Sequence, residues 1–413
     1  MKKERIIFHI DVNSAFLSWE AVRRLKEGDT LDLRTVPSAV GGDVKTRRGI
    51  ITAKSIPAKA FGIQTGEPVM TALKKCPKLI LVQSDFRLYR SCSHAFIAIC
   101  REYTDKIEQV SIDECFMDVS ESVKDHDPEE AVKLAFTIKD RVRDELGFTV
   151  NVGVSENKLL AKMASDFKKP DRVHTLWAEE IERKMWPLPV GDLLFVGRSS
   201  AERLRTLGIR TIGDLAKMPV SVLSAHFGEK AAISMHNSAN GISRSAVSEE
   251  GEDEKSYGHE TTLPYDYVDA AEVYPVLLML SDRVSRRLRR DNVKAGLVTV
   301  SYKSNEFKRV SHQHKLDLST SSGDLIYREA VRLFDELWDQ KTPIRLLGVS
   351  CGNITDGKNE QLNLFGEEER KKREKLDRML DAVRNRFGDD AIMRTSEFEK
   401  RRKKDDPEDE EDD

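Results

Sequence analysis

Three carboxylates, at two places far apart in the chain, are of the type and setting that could hold divalent cations together. Asp11 closes the largely apolar run Ile6-Ile7-Phe8-His9-Ile10, and Asp113-Glu114 lie within Gln109-Val110-Ser111-Ile112-Asp113-Glu114-Cys115-Phe116-Met117-Asp118. Hard cations such as Mg²⁺ take oxygen ligands, and phosphoryl-transfer sites with two metals need carboxylates able to bridge both. Among 71 acidic residues in 413, an adjacent Asp-Glu is common and usually a solvated surface feature. This pair is different. Val110, Ile112, Cys115, Phe116 and Val119 flank it, and uncompensated carboxylates are costly in apolar surroundings.

The elements that must position these groups follow from period and punctuation. A short apolar run ending in Asp predicts a buried strand that delivers a carboxylate to a sheet edge, and the second stretch predicts two strand-like pieces meeting near Ser111 to Glu114. Helices expected over 90–105 and 129–146, with strands around 114–119, 149–154 and 173–176, make one α/β unit with the first strand. In 15–82, Gly41-Gly42, Gly62, Gly66 and Pro68 break short elements. Residues 178–247 read as short helices with an apolar face of Leu204, Leu207, Ile209, Ile212 and Leu215. A charged linker over 248–255 precedes a unit of about 100 residues. Its first helix carries Leu277, Leu280, Val284 and Leu288 on one side and Arg283, Arg286, Arg287 and Arg290 on another, which is either a solvated face or a contact to a DNA backbone. Alternation over 296–302 and 345–350 predicts strands.

Asp11-Val12-Asn13-Ser14-Ala15-Phe16, Thr52-Ala53-Lys54-Ser55-Ile56-Pro57-Ala58-Lys59-Ala60-Phe61-Gly62, Ser111-Ile112-Asp113-Glu114 and Gly153-Val154-Ser155-Glu156-Asn157-Lys158-Leu159-Leu160-Ala161-Lys162 follow one another in that order. In order and spacing the chain resembles the Y-family DNA polymerases, and is most similar to the bacterial polymerase IV type. The resemblance implies an α+β multidomain right hand. Its palm would be 1–14 and 83–177, its small fingers 15–82, its helical thumb 178–247, its α/β little finger 256–355 and its tail 356–413. Asp11, Asp113 and Glu114, with the Val12 backbone carbonyl, would hold two Mg²⁺ ions. Lys59 and Lys169 would meet the triphosphate, and Lys54 or Ser55 would stand in for a tyrosine that this chain replaces with Ile56. Lys162 would face the active site or solvent. Phe16 would be the steric gate against a ribose 2′-hydroxyl, beside a pocket that Ala15 makes roomier. Gly197 would open a helix-hairpin-helix whose amides hold a DNA phosphate, although Phe195 stands where relatives carry glycine.

Beyond these units, Gln361-Leu362-Asn363-Leu364-Phe365 stands isolated among polar residues and resembles the peptide with which bacterial polymerases bind the sliding clamp. Gln361, Leu362, Leu364 and Phe365 would make that contact. The implied activity is low-fidelity, template-directed primer extension past damaged bases by two-metal nucleotidyl transfer. Primer-template DNA, deoxynucleoside triphosphates and the clamp are the implied partners of a monomer. Two other classes share parts of this pattern: another palm nucleotidyltransferase such as a cyclase, and a clamp-bound DNA-binding protein with a silent site.

Composition is compatible with that reading. The 39% hydrophobic content suffices for several cores, and no stretch approaches the ~20 apolar residues of a membrane span. Five scattered cysteines without a C-x-x-C pair point to reduced thiols and a cytoplasmic protein. The net charge of −3 is misleading for a DNA-binding chain. Eight of the 71 acids follow Lys404 in a solvating acidic terminus, leaving 63 acids against 68 bases, or +5, in residues 1–404.

Overall fold

A computed structural model of the chain describes residues 4–42, 49–249, 253–356, 367–388 and 391. The chain forms two compact units, Met1–Gly251 and Glu252–Asp413. In the first, β1 (Ile7–Val12) turns through Ser14, which is left-handed at φ 48°, into α1 (Ala15–Lys26). A small sheet of β2 (Ser38–Gly41), β3 (Ile51–Lys54) and β4 (Ile80–Val82) has the order β3-β2-β4, with α2 (Ile56–Ala60) and α3 (Val69–Lys75) following β3. Next come α4 (Phe86–Arg101), β5 (Ile107–Gln109), β6 (Glu114–Asp118), α5 (Pro128–Arg141), β7 (Val150–Ser155), α6 (Lys158–Ser165) and β8 (Val173–Thr175). The central sheet has the order β5-β6-β1-β7-β8. The helix expected at 90–105 begins earlier because the Asp85 side chain accepts from the amides of Arg87 and Leu88, capping α4 at its true start.

Strand alternation gives the central sheet two unlike faces. Phe8, Ile10, Val12, Cys115, Met117, Val150, Val152 and Val154 pack with residues of α1, α4 and α5 in one core. Ile7, His9, Asp11, Glu114, Phe116, Asn151 and Gly153 belong to the other face, where α6 lies, and Ile7 and Phe116 pack with Ala161. Here α6 rests directly on the sheet: a Cβ on Gly153 would lie 1.9 Å from the Ala161 carbonyl oxygen. A separate core gathers Leu204, Ile209, Ile212, Leu215 and Leu223 from short helices that include α7 (Ile181–Lys184), α8 (Arg198–Thr206) and α9 (Ile212–Lys217).

In the second unit, α10 (Val220–Phe227) and α11 (Glu229–Ala239) having closed the first, β9 (Ser256–Tyr267) leads into α12 (Ala270–Arg290). β10 (Lys294–Ser304), β11 (Arg309–Thr320), α13 (Gly323–Leu337) and β12 (Ile344–Thr355) follow, and the antiparallel sheet has the order β11-β10-β12-β9. One face packs on α12 and α13 through Val298, Val300, Leu347 and Val349. The stretch expected as a tail contains a further helix, α14 (Glu367–Phe387), docked on α12. Arg289 reaches Asp381 at 2.6 Å and Arg384 reaches Asp282 at 2.8 Å. Pairing across that much sequence leaves no local signature, so a charge-rich stretch reads as solvated. The peptide 361–365 lies outside the described residues. Among them, no helix is long and apolar enough to cross a membrane.

Candidate active site

Asp11 and Glu114 are direct register partners on antiparallel β1 and β6, so their side chains leave the sheet on the same face. The β5–β6 turn is stitched to β1 by the Val12 amide, which donates to the Asp113 carbonyl at 2.9 Å. Ser111 Oγ donates to Asp113 Oδ1 at 2.6 Å. On the other side, Asn157 caps α6 by accepting from the Leu160 amide at 3.0 Å, and this short helix delivers Lys162. Lys162 Nζ pairs with Glu114 and lies 4.0 Å from Asp11 Oδ2, while Lys169 Nζ lies 2.7 Å from Asp11 Oδ1.

Among the described residues, no three His, Cys, Asp or Glu side chains converge as a ready-made metal shell. The ammonium groups of Lys162 and Lys169 instead sit against the carboxylates, where a cation is electrostatically favoured. An oxygen-only donor set from Asp11, Asp113 and Glu114 fits a hard divalent ion. The electrostatics agree. Burial, and then the charges of Asp11 and Glu114, raise the Asp113 pKa despite the Ser111 hydrogen bond. His9, followed by Lys162, holds Glu114 down at about 2 against its own burial, so that it stays ionised at neutral pH.

A cavity of about 430 Å³ opens beside this edge. Asp11, Asp113, Lys169, Lys54, Ser55 and Lys59 line it, and Val12, Ala15 and Phe16 also border it. Burial and the Lys59 charge both push the Lys54 ammonium pKa down, so the two cations face a common space that favours an anion. Ser55 acts indirectly. Its hydroxyl donates to the Val36 carbonyl at 2.7 Å and accepts from the amides of Ala58 and Ser38, which caps α2 and thereby sets Lys59. Ile56 is 60% exposed and offers no polar group.

The Phe16 ring stacks on Tyr89, with centroids 4.5 Å apart and planes at 12°. Tyr89 is fully buried and donates to Glu20 Oε1 at 3.0 Å, so the ring behind Phe16 cannot easily retreat. Tyr89 escaped the sequence reading because it is carried on α4, remote in sequence from Phe16. His9 escaped too, read as part of an apolar run, although its spacing of two from Asp11 places it on the same sheet face.

The remaining expected contacts lie elsewhere. Gly197 is the N-cap of α8 with no side-chain cap, and Phe195, two residues before it, is left-handed at φ 70° and 84% exposed. In the second unit the four arginines of the predicted α12 stripe already have partners. Arg283 meets His259 at 3.0 Å, Arg286 meets Asp381 at 3.5 Å, Arg287 donates to the Gly258 carbonyl at 3.0 Å, and Arg290 meets Asp291 at 2.8 Å. The stripe is therefore less available to phosphate than its spacing implies. On the sheet face away from α12 and α13, Thr299 and Ser301 sit opposite Ser350 and Gly348, a strip of small residues.

Comparison with known proteins decides the family. Residues 10–166 match the impB/mucB/samB family, residues 254–364 match that family's C-terminal domain, and residues 191–243 match a domain described as the DNA polymerase-iota thumb. DNA polymerase IV of Clostridium acetobutylicum is 44% identical over 97% of this chain and 100% of the relative. The chain belongs to the Y family of DNA polymerases. DNA polymerase IV of Pelotomaculum thermopropionicum is 39% identical to this Y-family chain, over 88% of it and 89% of the relative. DNA polymerase IV 1 of Bacillus subtilis is 36% identical over 97% and 95%. A solved Y-family polymerase chimera of Dbh and Dpo4 superposes with a TM-score of 0.74 at 26% identity, covering 84% of this chain and 99% of that one. This Y-family member thus matches polymerases across thumb and C-terminal unit as well as the catalytic sheet, which a cyclase-like palm enzyme would not.

Proposed function

We propose that this DNA-directed DNA polymerase of the translesion type extends primers at the cavity bordered by Asp11 and Asp113, by two-metal nucleotidyl transfer. The observation that carries the reading is that Asp11 and Asp113, with Glu114 next to Asp11 across β1 and β6, share one 430 Å³ cavity with Lys54 and Lys59, the first two and the lysines lining it. Asp11, Asp113, Glu114 and the Val12 carbonyl would hold two Mg²⁺ ions. When bound, these supply Lewis-acid activation of the primer 3′-hydroxyl and charge neutralisation at the triphosphate. Lys59 and Lys169 bind the phosphates. Lysine does this as a point charge, so the triphosphate is held with less angular constraint than by a bidentate arginine. Phe16 excludes the ribose 2′-hydroxyl. Primer extension on an intact and on a lesion-containing template, with Glu114→Gln as control, tests the whole reading; a variant as active as the parent would dismiss the site.

DNA is gripped outside the site as well. The α8 N-terminus at Gly197, which has no side-chain cap, would present helix amides to a phosphate, and arginines of α12 would contribute by exchanging their present partners for phosphate. Arg287→Glu combined with Arg290→Glu is expected to weaken primer-template binding and to flatten the log affinity against log salt slope by about 2. An unchanged slope, measured by fluorescence anisotropy, makes the stripe a solvated face.

The peptide 361–365 recruits the bacterial sliding clamp, Gln361 through directional hydrogen bonds and Leu362, Leu364 and Phe365 through apolar pockets. Loss of each anchor costs about 2 kcal/mol or more, which is tens-fold in affinity. Leu364→Ala with Phe365→Ala should abolish stimulation by the clamp and leave clamp-free extension intact. Equal clamp affinity of the double variant and the parent by titration calorimetry excludes this peptide as the docking site.

A further inference from the structure

Two buried asparagines join the central sheet to the loop that carries Lys169. Asn151 is fully buried on β7, in register with Asp11 on β1, and Asn13 follows β1 at the edge of the cavity. Asn151 Nδ2 donates to the Ser165 carbonyl at 3.0 Å and to the Lys168 carbonyl at 2.9 Å. Its Oδ1 accepts from Asn13 Nδ2 at 3.2 Å and from the Arg172 amide at 3.3 Å. Asn13 Oδ1 in turn accepts from the Asp171 amide at 2.9 Å and from the Thr149 hydroxyl at 3.0 Å.

Counting protons leaves one arrangement. Two carbonyls take both hydrogens of the Asn151 amide, which puts its oxygen on the side of the Arg172 amide. The Asp171 amide can only donate, which turns the Asn13 oxygen to the loop and its nitrogen to Asn151. Lys169 and Pro170 lie between the groups so held, with the Lys168 carbonyl before them and the Asp171 and Arg172 amides after. The turn needs holding: Asp171 is left-handed at φ 56°, a conformation that costs a non-glycine residue and persists where its surroundings impose it. His174 Nε2, 3.1 Å from the Lys168 carbonyl, and Lys139, 2.8 Å from the Asp171 carboxylate, add contacts to β8 and α5. The asparagines tie the loop to β1 and β7, the strands whose register places Asp11.

We infer that Asn151 and Asn13 are positioning residues for Lys169: their paired amides fix the backbone from which that side chain reaches the nucleotide triphosphate. The inference rests on the reading of Lys169 as a phosphate contact. At present its ammonium sits between Asp11 at 2.7 Å and Asp166 at 2.9 Å. Contact with a phosphate requires it to leave Asp11, so that ion pair does not locate it once nucleotide is bound. The backbone hold does. A long side chain on a fixed backbone explores a small volume beside the cavity, and loosening the loop loses that preorganisation as nucleotide affinity. Neutral amides suit the task because each donates and accepts at once, satisfying buried carbonyls and amides without adding charge beside Asp11.

The test is a double-mutant cycle on the full chain with primer-template DNA, read as the deoxynucleotide dissociation constant and the maximal rate of single-turnover incorporation. Lys169→Ala should weaken nucleotide binding about ten-fold or more, the loss of a charge-assisted contact. Asn151→Ala should weaken it about five-fold, with a smaller change in maximal rate and unchanged DNA affinity, and Asn13→Ala should act in the same direction. In the Lys169→Ala background, Asn151→Ala should cause no further loss of nucleotide affinity, because the side chain it positions is gone. Parental nucleotide affinity in Asn151→Ala overturns the inference. So does an equal loss with and without Lys169, which would be a general loosening of the sheet, or a fall in maximal rate alone, which would assign the defect to Asp11. If Asn151→Ala does not fold, Asn13→Ala, which leaves both carbonyl bonds of Asn151 in place, runs the same cycle with the same outcomes. Lys169→Ala separates the two layers: parental nucleotide affinity there fails the phosphate reading and the inference with it, whereas loss there that simply adds to the loss at Asn151 sinks only the positioning role.

Discussion

Replacing Asp11, Asp113 or Glu114 with alanine is expected to lower single-nucleotide incorporation by about 10³-fold or more, while primer-template affinity should stay close to that of the parent. The reason lies in what these groups touch. Asp11 and Glu114 are paired across β1 and β6 and compensated by Lys169 and Lys162, and Asp113 is held by Ser111. Asp11 and Asp113 line the cavity and Glu114 adjoins Asp11 across the strand pair, where on the proposed reading charge must be balanced during transfer to the α-phosphate. Removing Asp11 or Glu114 takes the paired carboxylate from Lys169 or Lys162, and removing any of the three takes away an oxygen donor needed only when metal and nucleotide are bound. Uniform binding of DNA, which uses other surfaces, is untouched, so kcat should fall and the DNA dissociation constant should not. Rapid-quench incorporation beside anisotropy titration makes the measurement. Near-normal incorporation by any one variant dismisses that residue as an essential ligand, and parallel loss of DNA affinity would point instead to a collapsed palm.

Phe16→Ala is expected to raise incorporation of ribonucleotides relative to deoxynucleotides by about a hundred-fold. Forcing an extra oxygen against a packed ring costs about 1–3 kcal/mol, and each 1.4 kcal/mol is a factor of ten. That cost is realised only if the ring cannot move. Phe16 is stacked on buried Tyr89, whose hydroxyl is tied to Glu20, itself paired with Arg23 at 3.0 Å. The stack makes a wall with a fixed back. Discrimination is read from the ratio of kcat/KM for the two sugars opposite one template base. A ratio equal to the parent's would return Phe16 to the status of a core side chain.

Much of this molecule was legible locally. The strands around 114–119, 149–154 and 173–176 appear as β6, β7 and β8 within a residue or two, because a short run rich in apolar and β-branched residues is a property of each segment. Helix boundaries were less legible at 90–105, where the Asp85 cap precedes the apolar pattern. Ser55 carried a readable sign of its use: a serine just ahead of Ile56-Pro57 is a helix start, and its hydroxyl serves that start. The arginine stripe shows the limit of single-element patterns. Spacing placed Arg283, Arg286, Arg287 and Arg290 on one side of α12, but their partners His259, Asp381, the Gly258 carbonyl and Asp291 come largely from other elements.

What the sequence by itself determined is the identity and order of the chemical groups: carboxylates closing apolar strands, lysines after them, an aromatic following the first, and the motif order of a polymerase. These are encoded by residue type and short spacing, which survive without knowledge of the fold. Only the tertiary structure decided which groups share a space. The β1–β6 register set Asp11 against Glu114, close seating of α6 on Gly153 brought Lys162 and Ser165 to that edge, and α4 put Tyr89 behind Phe16. Each depends on a distance between segments far apart in the chain, fixed by packing and hydrogen bonding together. No local periodicity records such a distance.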